Sequence, residues 1–209
     1  MIYFLNELMR EKKLPPIPIY VDSPLATNIT EVFRTYYGYF NEQTRQEMRS
    51  KKSGPFDFVN LSYISSKEDS KALNNDRRPM IIIAGSGMCE AGRILHHLKN
   101  NISESMNTVI VVGYMAKNTL GKRIVERERF VRIYGVECEL NAEVVVINAF
   151  SRHADQNELF DYVQACLPLK RVFIVHGDLD QSQAIYERLA QNGIHAYMPE
   201  KGEVLDLND

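Results

Sequence analysis

The stretch AFSRHADQNELF, residues 149 to 160, places His153 two positions before Asp155, just after an apolar run. Further along, RVFIVHGD repeats the arrangement with His176 and Asp178. Imidazole passes protons near neutral pH and is also the commonest side-chain metal ligand. A carboxylate two residues on can orient the ring by taking its N–H. The two pairs suggest acid–base chemistry or metal ligation, and their common place after apolar strands predicts that both emerge on one sheet edge. A lone histidine at a strand end is more often structural. His195 opens a strand, and His96 and His97 lie in a helix without His-x-x-x-His spacing, so these three are read as structural.

Two more loops carry chemistry-bearing residues. AGSGMCEAGR follows an apolar strand and is expected to open a helix. Gly85, Ser86 and Gly87 allow close backbone approach, and the N-terminus of the helix that follows would present unpaired N–H groups to a phosphate. Position 90 is Glu90, so Gly-x-Gly-x-x-Gly fails, and a Walker A loop and a Gly-x-Ser-x-Gly elbow fail as well. A tight strand-to-helix turn explains the glycines equally well. GYMAKNTLGKR brings Lys117, Lys122 and Arg123 together, with Tyr114 available for base stacking. Glu126 and Glu128 dilute this charge, so a solvated helix face is the competing reading.

These loops need elements to hold them. Ile2, Leu5, Leu8 and Met9 form one helical face that LPPIP stops. IPIYV is a strand running into DSP, and Ile29, Val32, Phe33, Tyr36 and Phe40 mark the next helix face. MRSKKSGPF reads as a basic, Gly/Pro-broken loop. A strand near FDFVNLSYI, a short helix and the strand PMIIIAGSG follow. TVIVVGY, TLGKRIVERE, a hairpin over FVRIYGVECEL, AEVVVINAF, QNELFDYVQACL, RVFIVHG and DQSQAIYERLAQNG continue the alternation, with HAYMP and EVLDL as closing strands. Alternating strands and helices predict α/β layers on a mainly parallel sheet.

The 209 residues, 44% of them hydrophobic, can bury a real core, and a net charge of −2 leaves any polyanion binding to a local patch. Cys89, Cys138 and Cys166 are an odd set with no Cys-x-x-Cys, which suggests a reducing, cytoplasmic setting. MIYFLNELMREKK carries charge by position 7 and does not read as a signal peptide. No apolar run is long enough to span a membrane.

DSPLA, AGSGMCEAGRILHHL, GYMAKNTLGKRI, AFSRHAD and VFIVHGD occur in the order found in the β-CASP group of metallo-β-lactamase-fold nucleases, which the chain resembles from about residue 15 onward. The resemblance implies an α/β fold: a β-CASP domain over 1–138, a mainly parallel sheet flanked by helices. It is followed over 139–209 by the C-terminal portion of a metallo-β-lactamase αββα domain. His153 then matches the group's proton donor or phosphate stabiliser, with Asp155 as its orienting partner. His176 matches a zinc ligand of the RNA-processing branch, and GSGM matches a segment near the substrate phosphates. Asp22 is assigned no catalysis, because the group's own acid there lies upstream. The implied activity is hydrolysis of RNA phosphodiesters, with single-stranded RNA as partner and Ser86, Gly87 and Met88 contacting it; the local charge pattern adds Lys117, Lys122 and Arg123 to that contact, and a homodimer is one assembly to test.

The departures limit what this chain is expected to do alone. His-x-His-x-Asp-His, the group's metal motif, is absent, and a catalytic zinc needs about three protein ligands. The group's two zinc ions are thus expected in a longer protein, completed by an N-terminal metallo-β-lactamase portion, and not fully bound here. The expectation is an inactive fragment of a ribonuclease. A non-catalytic RNA-binding module of α/β fold is the alternative. A nucleotide-binding Rossmann enzyme is disfavoured by Glu90 and by the lack of an acidic residue ending TVIVVGYM.

Overall fold

The computed structural model describes residues 1–51, 54–151 and 153–206. The chain divides into two compact units, Met1–Ser151 and Arg152–Asp209.

In the first unit, α1 (Ile2–Arg10) precedes β1 (Ile19–Asp22), and Ser23 caps α2 (Pro24–Thr35) by accepting the Ala26 N–H. Pro24 suits the first turn of α2, where its missing N–H costs nothing. The helix face predicted to run through Phe40 is shorter: α2 stops at Thr35 and a 3-10 turn covers Tyr37–Tyr39. Ile29, Val32, Phe33 and Tyr36 remain exposed on it. The loop expected at MRSKKSGPF begins instead inside α3 (Glu42–Lys51), because that stretch is rich in residues that lose little freedom in a helix; Lys52 and Ser53 lie outside the described residues.

After β2 (Leu61–Tyr63) and α4 (Lys67–Leu73) comes β3 (Ile81–Ala84), and these strands form a parallel sheet in the order β2-β1-β3. Its register sets Asp22 beside Ala84, so DSP and GSGM leave neighbouring strands at the same edge. α5 (Ile94–Asn101) follows, then β4 (Thr108–Val111) and α6 (Leu120–Val125). The predicted hairpin is present as β5 (Phe130–Ile133) and β6 (Val136–Glu139), antiparallel. Tyr134 and Gly135 both have positive φ at its tip, as a type I′ turn demands. β7 (Glu143–Val146) pairs in parallel with β4. Cys89, Leu98, Ile102, Leu120, Ile124, Val131, Ile133, Cys138 and Val144 form the core beneath these elements. Ile110 (53% exposed) and Val146 (43%) remain open on the β4–β7 pair, although parallel strands are normally covered on both faces.

The second unit holds α7 (Gln156–Ala165), β8 (Val172–Phe173), α8 (Leu179–Gln191) and β9 (Ala196–Tyr197). β8 and β9 are parallel, and Phe160, Ile185, Leu189 and Ile194 form a small core of their own. Arg188 braces the helix pair, lying 4.3 Å from the Phe160 ring centre and donating to Asn157 Oδ1 at 2.8 Å. The strand expected at EVLDL is absent over 203–206: the Glu203 carboxylate instead takes the Tyr197 hydroxyl at 2.6 Å and the Glu200 N–H at 2.8 Å, folding the segment into a turn.

Candidate nucleic-acid and catalytic site

The GSGM loop is built by close backbone contacts. Ser86 N–H donates to Ala91 O at 3.1 Å and Cys89 N–H to Ser86 O at 3.1 Å, while Ile94 N–H returns to Gly85 O at 3.1 Å. Gly92 has φ +82, and a Cβ there would lie 2.6 Å from Gly85 O, so only glycine closes this loop. α5 therefore begins at Ile94 with Arg93 as its N-cap, nine residues after Gly85, and does not open directly on the GSGM backbone as expected. Its first N–H closes the loop rather than facing outward. Gly87 is exposed, and Ser86 and Met88 are half-buried.

This loop is fastened to the loop after β4. Gly121 N–H donates to Met88 O at 3.0 Å, Ala116 N–H to the Met88 sulfur at 3.2 Å, and Leu120 N–H to the Glu90 carboxylate. A Cβ at Gly121 would lie 3.0 Å from Met88 O and closer still to the Met115 sulfur. The two loops read separately from the sequence are thus one structural object. Glu90, which breaks the dinucleotide fingerprint, supplies one of its ties. Thr119 caps α6 through the Lys122 N–H at 3.2 Å, which fixes where Lys122 and Arg123 leave the helix. Lys117 and Arg123 are exposed, while Lys122 sits 3.3 Å from Glu126 in a surface pair of small energetic weight. Burial, and then Glu90, push the Cys89 thiol up to about 11, so it serves as core rather than nucleophile.

Beneath the same sheet edge lies a buried polar cluster that sequence reasoning missed. Asp22 is fully buried, and its carboxylate accepts from Ser70 Oγ at 2.6 Å, from His97 Nε2 at 2.6 Å and from Arg93. Arg93 also donates to Ile64 O at 3.0 Å and Ser65 O at 2.7 Å. Burial works to raise the Asp22 carboxyl, yet the bonds from Ser70, Arg93 and His97 outweigh it and hold it below the usual carboxylate range. His97, read as structural, is 5% exposed and wholly absorbed by this cluster. The available signal was an Asp ending one strand together with an Arg and a His spaced four apart.

His153, Asp155 and His176 fall in the second unit. Asp155 is the N-cap of α7: its Oδ1 accepts the N–H groups of Asn157 (2.7 Å) and Glu158 (2.9 Å), and Glu158 returns a bond to the Asp155 N–H at 2.9 Å. This capping box holds the carboxylate and sets the helix start two residues after His153. His153 and His176 are both exposed, and His176 stands at φ +60 just before α8. Among the described residues β7, which precedes His153, ladders with β4 in the first unit, and β8, which precedes His176, ladders with β9 in the second. Among the described residues, no group of three His, Cys, Asp or Glu side chains could hold a metal ion. The donors among the described residues do not by themselves make up a zinc site.

Two family models match the chain: the Beta-Casp domain over residues 1–124 and the Zn-dependent metallo-hydrolase RNA specificity domain over 137–199. A ribonuclease of Thermus thermophilus is 39% identical over 191 residues, covering 91% of this chain and 43% of the relative. The transcription termination factor FttA of Methanosarcina mazei is 29% identical over 195 residues, 88% of this chain and 30% of that protein. An RNase J-like protein of Methanocaldococcus jannaschii is 27% identical over 210 residues, 99% of this chain and 47% of that protein. The chain spans less than half the length of these curated relatives. No helix among the described residues is long and apolar enough to cross a membrane. With its alternating α/β elements and both family domains in order, the chain belongs to the β-CASP family of metallo-β-lactamase-fold nucleases.

Proposed function

We propose that this chain is the RNA-engaging, C-terminal part of a zinc-dependent ribonuclease that hydrolyses RNA phosphodiesters. Ser86, Gly87 and Met88 contact the backbone of single-stranded RNA, with Lys117, Lys122 and Arg123 beside them. In the complete site His153 would face the scissile phosphate and move a proton there, Asp155 would hold the segment that carries it, and His176 would give one nitrogen to the metal centre. The observation that carries this reading is the fastening of the GSGM loop to the Tyr114–Leu120 loop through Met88 and Glu90, with Gly87 exposed and cations on the adjoining residues. Such a surface suits a phosphate chain: backbone approach is close and the charge is local.

A complete centre would hold two zinc ions, and the ligands this chain lacks would come from an N-terminal metallo-β-lactamase portion. The exposed apolar side chains on the β4–β7 pair support such a covering partner. The division into a β-CASP domain over 1–138 and a returning lactamase segment over 139–209 belongs to the same reading. The two family matches support it, while residues 139–151 pack with the first unit. Three free thiols suit a reducing, cytoplasmic compartment, and sedimentation would decide whether the protein is a homodimer. The second reading is a non-catalytic RNA-binding or interaction module of α/β fold; one relative is named a transcription termination factor and not a ribonuclease.

The test is cleavage of end-labelled single-stranded RNA by this chain alone and by the chain completed with a metallo-β-lactamase portion. The completed protein should cleave, and the chain alone should bind weakly, with an affinity that falls as salt rises. Elemental analysis of the chain alone should find well below about two zinc ions per molecule. Two tightly held zinc ions, or no cleavage by the completed protein, would overturn the proposal.

A further inference from the structure

The hydrogen-bond directions around Asp22 fix more than packing. Asn101 Nδ2 donates to His97 O at 2.9 Å, which only an amide N–H can do, so the orientation of that side chain is set. The same nitrogen reaches Asn74 Oδ1 at 3.1 Å, while Asn74 Nδ2 faces Ser70 O at 3.4 Å. Asn74 therefore presents its oxygen, an acceptor, to His97 Nδ1 at 3.0 Å. On the other side of the ring, Nε2 meets Asp22 Oδ2 at 2.6 Å. Arg93 on Oδ1 and the Ser70 hydroxyl on Oδ2 hold that carboxylate ionised. Both ring nitrogens thus face acceptors, and both must carry hydrogen.

From this we infer that His97 is a buried imidazolium. With Arg93 it forms a two-cation clamp on Asp22, and this clamp is the positioning device for the GSGM loop. The RNA half of the inference rests on the function proposed above. Asp22 ends β1 beside Ala84, the last residue before the loop, and Arg93 is the residue that ends the loop. Arg93 also binds the carbonyls at the end of β2. One cluster therefore ties all three strand ends to both ends of the segment proposed to meet RNA, and leaves one surplus positive charge beneath it. The groups facing His97 are Asp22 from β1, Asn74 from the end of α4 and Asn101 on α5, with Ser70 and Arg93 sharing the Asp22 carboxylate. Losing either ring proton leaves a lone pair against an acceptor and frees one side of the clamp. His97 is a positioning residue: it acts through Asp22 and Arg93.

The wild-type chain supplies the first test. A nitrogen–proton NMR spectrum of the histidine side chains at neutral pH, with His97→Gln for assignment, should place hydrogen on both ring nitrogens of His97. A neutral ring there would overturn the inference, and the protonation itself is read in the wild-type chain. The second test titrates a fluorescein-labelled oligouridylate with wild type, His97→Gln and Lys122→Glu across pH. His97→Gln should weaken binding by about tenfold and remove a pH-dependent step that wild type and Lys122→Glu retain. If Lys122→Glu weakens binding while His97→Gln changes neither affinity nor pH profile, the clamp does not position the loop. If Lys122→Glu has no effect either, the RNA surface itself is misassigned and the functional half of the inference falls with it.

Discussion

The two regions that carry the candidate chemistry are built on opposite plans. Around Asp22 the side chains of Asp22, Ser70 and His97 are buried, both carboxylate oxygens are bonded, and three strand ends meet in one cluster. Around His153 and His176 the rings are exposed at loop ends, and the nearby carboxylate of Asp155 is committed to capping a helix. The first region is complete within this chain, so its geometry is set by what is present. The second presents chemically able groups at loop ends, and under the proposed function the other members of its site would come from a metallo-β-lactamase portion. Binding geometry and catalytic geometry are thus separable here, and variants in the two regions should fail differently.

The largest expected effect breaks the catalytic side alone. In the protein completed with its metallo-β-lactamase portion, His153→Ala should lower RNA cleavage by about 10²–10⁴-fold and leave the zinc content unchanged. His176→Ala should lower both. Metal analysis beside cleavage assays separates them, and zinc loss in His153→Ala would remove the distinction. Asp155 sharpens the point, since serine also caps helices. Asp155→Ala should cost about 1 kcal/mol of stability through the lost cap. If Asp155→Ser restores stability and cleavage together, the role of Asp155 is to set the start of α7.

Next in size is the buried cluster. Asp22→Ala leaves Arg93 and His97 facing each other without their carboxylate and should cost about 3–5 kcal/mol in urea unfolding. In the second unit, which has no comparable buried ion cluster among its described residues, the equivalent loss comes from apolar truncation: Leu189→Ala should cost about 2–5 kcal/mol. The pH dependence separates these two. The Asp22 carboxyl titrates below its ordinary value of 3.8 in the folded chain, so its stabilisation is fully present above that value and is lost as pH falls through the folded one. Acid unfolding monitored by circular dichroism should lose this component in Asp22→Asn, while Leu189→Ala keeps it.

The smallest effects belong to the rim. Lys122→Glu should weaken single-stranded RNA binding by about three- to tenfold, with a shallower salt dependence. Lys13→Glu, just after α1 and already paired with Glu11 at 2.8 Å, should change it little. Equal effects in fluorescence anisotropy would dissolve the patch.

How much of this could be read in advance varied with the physics. Strands such as TVIVVGY and AEVVVINAF announce themselves because burial selects branched apolar runs, and the hairpin turn is legible because few residue pairs accept positive φ twice. The family motifs brought His153, His176 and the GSGM loop to attention as candidates. Asp22, Ser70, Arg93 and His97 stayed hidden because each is an ordinary polar residue. Their meaning lies in contacts across 48 to 75 positions of sequence that no local period encodes. α3 was missed because basic composition beside Gly54 and Pro55 was read as a break, although the break falls after the helix. The split between the β4–β7 and β8–β9 pairs was equally out of reach, since strand character says nothing of which strand is the partner.

Gly87 differs from Gly92 in its own loop and from Gly121 in α6. Gly92 and Gly121 are walled in, whereas a Cβ on Gly87 would meet nothing within 4 Å. The fold therefore has no stake in that hydrogen atom, and only a ligand resting on the main chain could. Gly87→Ala should leave thermal unfolding unchanged, so any loss of RNA affinity would belong to the visitor rather than the host. One methyl group at this position would act as a contact gauge, recording how near the nucleic acid comes without disturbing the surface being measured.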